Sequence, residues 1–249
     1  IYSSVGMGKT HLLNAIGLEV GNTKKTMFIS AERFMYHFIR SIKNNDMVKF
    51  KDFFRKSNVF IIDDIQFVRG KEATQEEFFH IFNALLEKNS QVVIASDRSP
   101  TNLDRIQDRI KSRLSGGLVV DIQSSNFDLR LEILKFKYQE NRKKFKDSIE
   151  LSDDVLNFLA SEMRVSIRET IGALNRILAF GRIYNKTPSV SECKLILKDI
   201  INTNNKQVSI EKIQSIVASY FKISLKEMLS PRRSRSLVRP RHIAMYLSK

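Results

Sequence analysis

The stretch Gly6-Met7-Gly8-Lys9-Thr10 lies near the start of the chain, ahead of a helical run from His11 to Val20. Glycines let backbone N–H groups close around phosphate oxygens, and a helix N-terminus adds a partial positive charge. In such a loop the lysine reaches the terminal phosphates and the threonine binds magnesium. The stretch therefore predicts a phosphate-binding P-loop in an α/β domain, although Ser3 stands where the full pattern has its first glycine.

The second half of the predicted site is Val59-Phe60-Ile61-Ile62-Asp63-Asp64, an apolar strand that ends in two carboxylates. Strand ends beside the P-loop strand of a parallel sheet place their side chains at the phosphates. We expect Asp63 to hold Mg²⁺ through water, and Asp64 to stand where many ATPases have a glutamate that orients the attacking water. Because aspartate is shorter than glutamate by a methylene, we expect slow hydrolysis of ATP to ADP, which suits a timed switch better than a motor.

Short β-rich runs alternate with helical patterns up to about Ile122. The strand candidates, most of them continuous apolar runs, are Thr26 to Ser30, Val59 to Ile62, Gln91 to Ser96 and Leu118 to Ile122. Continuous apolar runs are typical of strands covered on both faces, as in a parallel sheet with helices above and below. Between the first two strands, apolar residues recur at helical spacing from Ala31 to Asn44, which predicts a helix with one buried face that includes Ile39.

Beyond Asp121 the β signal disappears and a helical lid is predicted. Its helices are expected from Asn126 to Arg142, Ser152 to Met163, Ser166 to Tyr184 and Ser189 to Ile201, with Ser152 and Ser166 as N-caps. Asn202 to Gln207 interrupts the apolar periodicity and predicts a short hinge or a connector, and a later helix is expected to open at Arg239-Pro240. The predicted domains are a nucleotide-binding α/β part at 1–123, the lid at 124–201 and the start of a third unit at 202–249.

Positive charge is concentrated near the C-terminal end. The net charge is +15, and residues 206 to 249 contain ten Lys or Arg against two acidic residues, which leaves +8 on that part. Such a concentration favours approach to a polyanion. Nucleic acid is favoured over a membrane, because no amphipathic stretch pairs the charge with a large apolar face. The alternative is a basic face that only promotes solubility.

The single cysteine, Cys193, cannot form an internal disulfide, which fits a packing role in a reducing cytoplasm. No Cys/His cluster has metal-ligand spacing, no apolar run reaches membrane-spanning length, and no signal-like segment opens the chain. We therefore expect a soluble, cytoplasmic protein. Because the chain starts without Met and stops at Lys249 inside an apparent helix, we also expect it to be a piece of a longer protein.

A P-loop with paired carboxylates also fits a small-molecule kinase or a GTPase. No Asn-Lys-x-Asp run is present to read guanine, which disfavours the GTPase. A kinase would need a separate explanation for the charge at the C-terminal end.

Several strings, in their order and spacing, resemble the DnaA family of bacterial replication initiators, which are AAA+ ATPases. They are Val5-Gly6-Met7-Gly8-Lys9-Thr10-His11-Leu12, Ile62-Asp63-Asp64-Ile65-Gln66-Phe67, Gln75-Glu76-Glu77-Phe78-Phe79-His80, Phe82-Asn83-Ala84-Leu85, Ala95-Ser96-Asp97-Arg98, Asp108-Arg109-Ile110-Lys111-Ser112-Arg113, Ile167-Arg168-Glu169 and Gly172-Ala173-Leu174-Asn175. The resemblance covers nearly the whole chain. It implies an AAA+ P-loop domain with a parallel sheet, a helical lid, and the start of a helix-turn-helix DNA-binding domain, and it extends nucleotide binding to His11.

The resemblance also implies catalytic roles beyond Asp64. Asp97 matches sensor 1, a polar group beside the γ-phosphate, and Arg168 matches sensor 2, which contacts the nucleotide and couples it to the lid. Arg113 matches the arginine finger that reaches the ATP of a neighbouring subunit, so that nucleotide state is coupled to assembly. The alternatives are a turn residue at a strand end for Asp97, a structural salt bridge for Arg168 and a surface charge for Arg113.

DNA contacts are implied at two places. The basic stretch from Pro231 to Ser236 resembles the loop of the family's duplex-binding domain, with Arg233 at the minor-groove position and Arg235 nearby, and Arg241 and His242 lie at the start of the next helix. Ile39 and Arg40 match positions that bind single-stranded DNA inside the family's filament. A core role for Ile39, from its place in the apolar stripe, stays open.

The resemblance implies an initiator of chromosome replication that binds ATP or ADP with Mg²⁺, assembles head to tail on double-stranded origin DNA, holds single-stranded DNA and helps to open the duplex. It further implies contact with the replicative helicase through a region before Ile1, and with acidic phospholipids. Two rivals stay open: a helicase loader of the related ATPase group, and a transcription regulator that uses nucleotide only as a ligand. Both make a basic loop ahead of a helix-turn-helix less expected.

Overall fold

The computed structural model describes residues 1–145, 149–205, 210–232 and 234–248. They form two compact units, residues 1–186 and 187–249. The division into three domains, with boundaries after 123 and 201, remains a prediction. No helix among the described residues is both long and apolar enough to pass through a bilayer.

A parallel three-stranded sheet forms the centre of the first unit, as predicted. Its strands are β1 (Thr26–Ser30), β2 (Val59–Asp63) and β3 (Gln91–Ile94), in the order β1-β2-β3. Tyr2 extends this order beyond β3, because it forms parallel bridges with Ser96 on one side and Asp121 on the other. The P-loop segment therefore lies beside β3, and β2, which carries the paired carboxylates, lies one strand farther away.

Two predicted strands are shorter than expected. The strand predicted from Gln91 to Ser96 ends at Ile94, and the one predicted from Leu118 to Ile122 is reduced to the single bridge at Asp121. The backbone of this last segment still bonds to Tyr2, through Tyr2 N–H to Val120 O at 2.8 Å and Ile122 N–H to Tyr2 O at 2.9 Å. Tyr2 offers only one bridging residue, which is too little to define a strand.

The helices of the first unit lie on both sides of the sheet and continue into the lid. Their bounds are α1 (Lys9–Gly21), α2 (Ala31–Lys43), α3 (Met47–Arg55), α4 (Glu72–Glu87), α5 (Asp108–Ser115), α6 (Phe127–Lys144), α7 (Asp153–Glu162) and α8 (Ile167–Tyr184), with short 3₁₀ turns at Ile65–Val68 and Pro100–Asn102. All five residues of β2 are buried, as expected for a strand covered on both faces.

The core around α2 corrects one expectation. Phe34 packs against the rings of Phe50, Phe54 and Phe78 at centroid distances of 5.6, 5.2 and 5.9 Å. The buried residues of α2 are Ala31, Phe34 and Phe38, whereas Ile39 is 45% exposed. The prediction of a buried Ile39 was wrong, because the row at i, i+3 and i+7 already fills the contact with the core and Ile39 lies beside that row.

The lid helix α8 begins as predicted. Ser166 is its N-cap, and its Oγ accepts a hydrogen bond from Glu169 N–H at 3.1 Å. Ser152 occupies the N-cap position of α7, but its side chain makes no capping hydrogen bond. The start of α8 is therefore fixed by a side-chain cap.

The second unit contains the remaining helices: α9 (Val190–Ile196), α10 (Lys198–Asn205), α11 (Ile210–Tyr220), α12 (Leu225–Leu229) and α13 (Arg235–Leu247). The helix predicted from Ser189 to Ile201 is broken at Leu197, which is the C-cap of α9. The predicted hinge is wrong for residues 202–205, which continue α10, because asparagine lowers helix propensity without removing a backbone donor. Residues 206 and 207 of that hinge lie outside the described part of the chain.

The last helix begins earlier than predicted. It starts at Arg235, after the N-cap Ser234, and Pro240 lies inside it rather than at its first position. The basic loop is correspondingly shorter. In the same unit Cys193 is buried, and burial raises the pKa of its thiol to about 11, so that it is a neutral packing group near pH 7.

Candidate functional site

The P-loop presents a helix start without a side-chain cap. Gly6 and Gly8 have φ of +82° and +100°, in the left-handed region that favours glycine. Gly8 is the N-cap of α1 and has no side chain that could cap the helix. The first N–H groups of α1 therefore need an outside acceptor, and together with the helix dipole they favour an anion.

Lys9 is folded into this loop and is only 7% exposed. Its Nζ donates to Ser3 O at 2.9 Å, to Ser4 O at 3.0 Å and to Ser3 Oγ at 3.3 Å. Ser3, which replaces the expected glycine, thus adds a hydroxyl within reach of the lysine. The ammonium is satisfied by neutral oxygens and would gain from a phosphate.

The surroundings of Lys9 bring the predicted site residues together. Burial lowers the pKa of Lys9, and the charges of Asp64, Asp63 and Asp97 partly oppose this change, while the charge of Arg168 adds to it. Four residues chosen from three distant parts of the sequence therefore lie close enough to act on one ammonium. The fold brings these residues together.

Thr10 and Asp63 form the group that could hold a metal. Thr10 Oγ1 donates to Asp63 Oδ2 at 2.5 Å, and Asp63 is 4% exposed at the end of β2. A hydroxyl beside a carboxylate suits Mg²⁺, which usually keeps several waters and is bound by one or two protein groups plus substrate phosphates. The described residues contain no cluster of three or more His, Cys, Asp or Glu with metal-binding geometry, and such a shared site does not require one.

Sequence reasoning missed a connecting residue, Gln66. Its Nε2 donates to Asp64 Oδ1 at 2.8 Å, and its Oε1 accepts from Asp97 N–H at 3.2 Å. Asp64 itself has φ of +56°, and its N–H donates to Asp63 Oδ1 at 2.9 Å. Gln66 therefore ties the second carboxylate to the neighbouring strand end, and only its place two residues after Asp64 could have suggested this.

Asp97 has a partner beside it in sequence. Arg98 donates from Nε to Asp97 Oδ1 at 3.1 Å and from Nη2 to Oδ2 at 3.0 Å. This pairing raises the pKa of Arg98. Arg98 also reaches Asp104 at 3.3 Å. The carboxylate of Asp97 is therefore held in a fixed orientation by a two-point contact.

The lid touches the P-loop through the start of α8. Arg168 N–H donates to Gly6 O at 3.3 Å, and the side chain of Arg168 is exposed beside the loop. A Cβ at Gly6 would lie 2.8 Å from Ser166 Cβ and 2.9 Å from Ser166 Oγ. The P-loop and the N-cap of α8 therefore pack without room for a methyl group.

We predict that Gly6→Ala destabilises the chain and weakens nucleotide binding, because both the positive φ and the contact with Ser166 exclude a side chain. Strain of this kind costs about 1–3 kcal/mol, before the clash is added. Urea unfolding checks the stability and fluorescence titration checks the affinity. Gly21→Ala is the control, because a Cβ there meets no atom within 4 Å. Equal stability of Gly6→Ala and wild type would contradict the described packing.

Arg113 lies apart from these contacts. It is exposed on α5 and lines an apolar cleft of about 750 Å³ with Leu114, Leu118 and Val120. Leu118 is 89% exposed. An exposed arginine beside exposed apolar side chains suits contact with another molecule better than contact with a nucleotide on the same chain.

The remaining predicted residues of the first unit lie on its surface. His11 is exposed on α1, and Ile39 and Arg40 are both exposed on α2. The exposure of Ile39 and Arg40 is compatible with a DNA contact and excludes a core role for Ile39.

The basic stretch from Pro231 to His242, called the basic module below, is only partly described. Arg233 lies outside the described residues, and Arg235 is the first residue of α13. His242 is exposed on that helix. Arg241 was predicted as a DNA contact, but its guanidinium donates to backbone oxygens of Glu227, Met228, Ser230 and Arg232.

Family models match both units. Residues 1–121 match the model described as the bacterial DnaA ATPase domain, and residues 210–249 match the one described as the bacterial DnaA helix-turn-helix. A curated relative, the chromosomal replication initiator protein DnaA of Rickettsia bellii, is 45% identical over 252 aligned positions that cover 100% of this chain and 53% of the relative. The chain therefore spans about half the length of the curated relatives it matches.

Solved structures agree with these matches. Domain III of the replication initiation protein DnaA from Thermotoga maritima has a TM-score of 0.75 and 34% identity, covering 80% of this chain and 82% of that one. A replication initiator DnaA bound to AMPPCP and single-stranded DNA has a TM-score of 0.65 and 31% identity, covering 99% of this chain and 70% of that one.

Proposed function

Because the chain belongs to the bacterial DnaA family, we propose that it is the ATP-binding part, with the start of the duplex-binding part, of an initiator of chromosome replication. In this proposal ATP binding promotes head-to-tail assembly on origin DNA and helps to open the duplex, and hydrolysis to ADP ends the active state. The observation that supports it most is the convergence of Asp63, Asp64, Asp97 and Arg168 around Lys9.

The P-loop residues bind the phosphates of ATP or ADP. The N–H groups of the loop and of the first turn of α1, from Gly6 to His11, face the anion, and Lys9 exchanges its neutral oxygen partners for phosphate oxygens. Thr10 and Asp63 hold Mg²⁺, directly or through water. When bound, the ion neutralises charge that develops on the phosphates.

Asp64 orients the attacking water, and Asp97 lies beside the terminal phosphate. Gln66 keeps Asp64 in place through its amide, which contacts both strand ends. An aspartate held in this way reaches less far than a glutamate. Slow hydrolysis follows, and the ATP-bound state lasts long enough to be used as a signal.

We predict that the wild-type chain hydrolyses ATP slowly and that Asp64→Glu changes the single-turnover rate with little change in nucleotide affinity. Positioned acid-base groups contribute roughly 10²–10⁴-fold to a rate, so loss of the carboxylate in Asp64→Asn should slow hydrolysis by about 100-fold or more. Rapid-quench measurements of bound ATP and ADP check both variants. A fast wild type would contradict the proposed timing.

Arg168 and the start of α8 respond to the nucleotide. They contact Gly6 through a backbone hydrogen bond and lie within range of the phosphate-binding lysine. A phosphate placed there attracts the Arg168 side chain and changes the balance of contacts between lid and loop. This would couple nucleotide state to the orientation of the lid.

DNA contacts and assembly use three surfaces. Arg233, Arg235 and His242 bind the origin duplex, and Ile39 and Arg40 bind single-stranded DNA. A DnaA that is 31% identical has been solved with AMPPCP and single-stranded DNA bound, which supports single-stranded DNA as a ligand. Arg113 reaches the nucleotide of a neighbouring subunit from α5. We also propose two further partners: the replicative helicase, through a region before Ile1, and acidic phospholipids. The proposed location is the cytoplasm.

Sedimentation of the full chain with duplex DNA tests the proposal. We expect larger complexes with ATP and Mg²⁺ than with ADP and Mg²⁺. A helicase loader would sediment independently of duplex DNA, and a regulator that uses nucleotide only as a ligand would bind duplex without hydrolysing ATP. Assembly that is indifferent to the nucleotide would contradict the switch.

A further inference from the structure

The side chain of Arg241 is fully engaged within its own unit. Its Nε donates to Met228 O at 2.5 Å, its Nη1 to Arg232 O at 2.5 Å, and its Nη2 to Glu227 O at 3.0 Å. Nη2 also donates to Ser230 O and reaches Ser230 Oγ at 3.4 Å. The four carbonyl acceptors all lie between residues 227 and 232, at the end of α12 and in the loop that follows.

This segment needs such a partner. The helix α12 has only five residues, and its start is capped by reciprocal bonds between Ser224 and Glu227. Glu227 O already accepts from Ser230 N–H at 3.2 Å and from Ser230 Oγ at 2.8 Å. The carbonyls at this end of α12 also carry the negative end of the dipole, which favours a cation beside them. A guanidinium offers five donors in a planar fork, so that one side chain can satisfy several carbonyls at once.

A neighbouring arginine provides a contrast. Arg239 lies two positions earlier on α13 and is exposed. Arg241 is half-buried, and its Nε, Nη1 and Nη2 atoms all donate to backbone carbonyls. A phosphate contact by Arg241 would require it to leave several of these carbonyls.

We propose that Arg241 is a positioning residue: it holds the loop 230–232 against α13, so that the adjacent arginines meet the duplex in one conformation. This inference rests on the proposed binding of duplex DNA by the basic module. A loop that is ordered before binding loses less conformational entropy when it binds, which increases affinity. Arg241 thus acts on DNA through the loop and not through a contact of its own.

Lysine should not replace arginine in this role. A lysine keeps the charge but has a single ammonium, which cannot reproduce the planar fork on spaced carbonyls. If Arg241 touched a phosphate directly, lysine would retain most of the interaction. The variant Arg241→Lys therefore separates positioning from direct contact, and Arg239→Lys on the same helix is its matched control.

Binding is measured by fluorescence anisotropy of a labelled mixed-sequence duplex of about 20 base pairs, which spans roughly two turns of B-DNA. We expect Arg241→Lys to weaken binding by about fivefold or more, and Arg239→Lys to stay within about twofold. A loosened loop loses phosphate contacts, and the slope of log K against log salt should fall by ~0.9 for each one lost, whereas a direct contact that lysine retains would leave the slope unchanged. Binding of Arg241→Lys within twofold of wild type would overturn the proposal.

A second readout needs no DNA. Trypsin should cleave after Arg232 faster in Arg241→Lys than in wild type or Arg239→Lys, with α11 and α13 still resistant. If wild type failed to bind duplex, the proposed function would fail, while this readout would still decide whether Arg241 holds the loop. Unchanged cleavage after Arg232 would overturn the proposal.

The wild-type chain also gives a test that does not depend on the folding of a variant. In NMR spectra we expect the Arg241 Nε–H signal to exchange slowly with water and to remain in place when duplex is added. Exchange as fast as that of Arg239, or a large shift on binding, would favour a direct contact and exclude the positioning role.

Discussion

Lys9→Met should weaken the binding of ATP and ADP by at least about 30-fold, because it removes the charge-assisted contact with the terminal phosphates; truncating one partner of a buried charge pair costs roughly 2–5 kcal/mol. Methionine keeps a stem of similar length, so the packing inside the loop is retained. Isothermal titration with each nucleotide in the presence of Mg²⁺ measures the change. The same variant should lose the increase in Tm that nucleotide produces in wild type.

The stability of the nucleotide-free variant gives an independent check. Burial lowers the pKa of Lys9 in the folded chain, so its protonation opposes folding. This opposition is complete below the folded pKa and vanishes as the pH rises above 10.5, the ordinary pKa of a lysine. At pH 7 we therefore expect that removing the charge does not by itself destabilise Lys9→Met.

Lys24→Met is the control for this experiment, since Lys24 is an exposed lysine beyond the other end of α1. It should leave both affinity and Tm unchanged. Nucleotide affinity of Lys9→Met equal to that of wild type would contradict the assignment of the P-loop. A folded variant without affinity would support it.

Arg113→Ala should abolish the preference of assembly for ATP over ADP while leaving nucleotide binding by the single chain intact. Arg113 is exposed on α5 beside an apolar cleft, which is compatible with the proposed contact with the phosphates of a second subunit. Coupling between two binding sites is typically worth about 1–3 kcal/mol, or 5- to 150-fold in affinity. Sedimentation velocity with duplex DNA, under AMPPCP and under ADP, measures that ratio.

Arg109→Ala removes a charge from the same helix and serves as the matched control. Arg109 has partners within its own unit, because it lies 3.6 Å from Glu76 and 4.8 Å from the ring centroid of Phe79. It should lower stability slightly and keep the ATP preference. An unchanged ATP preference in Arg113→Ala would exclude the role in trans, even if the variant bound nucleotide normally.

Local patterns were sufficient for most of the architecture. The strands at Thr26–Ser30 and Val59–Asp63 and the helix at Ile167–Tyr184 follow from short-range signals, namely apolar runs and a capping serine. The failures are also local in origin. Pro240 predicted a later start for α13, and the asparagines at 202–205 predicted a break. Both segments are helical because the residues around them continue the helix.

What the sequence by itself determined is which residues are candidates for a nucleotide site, since Lys9, Thr10, Asp63 and Asp64 form a recognisable pattern of a P-loop and an apolar strand that ends in carboxylates. Only the tertiary structure decided that Gln66 links Asp64 to Asp97, which lies 31 residues after Gln66, and that Arg241 donates to carbonyls up to 14 residues away. The physical reason is that a hydrogen bond depends on distance and direction between atoms. Those are set by the packing of segments that are remote in the chain, and no periodicity or motif encodes them.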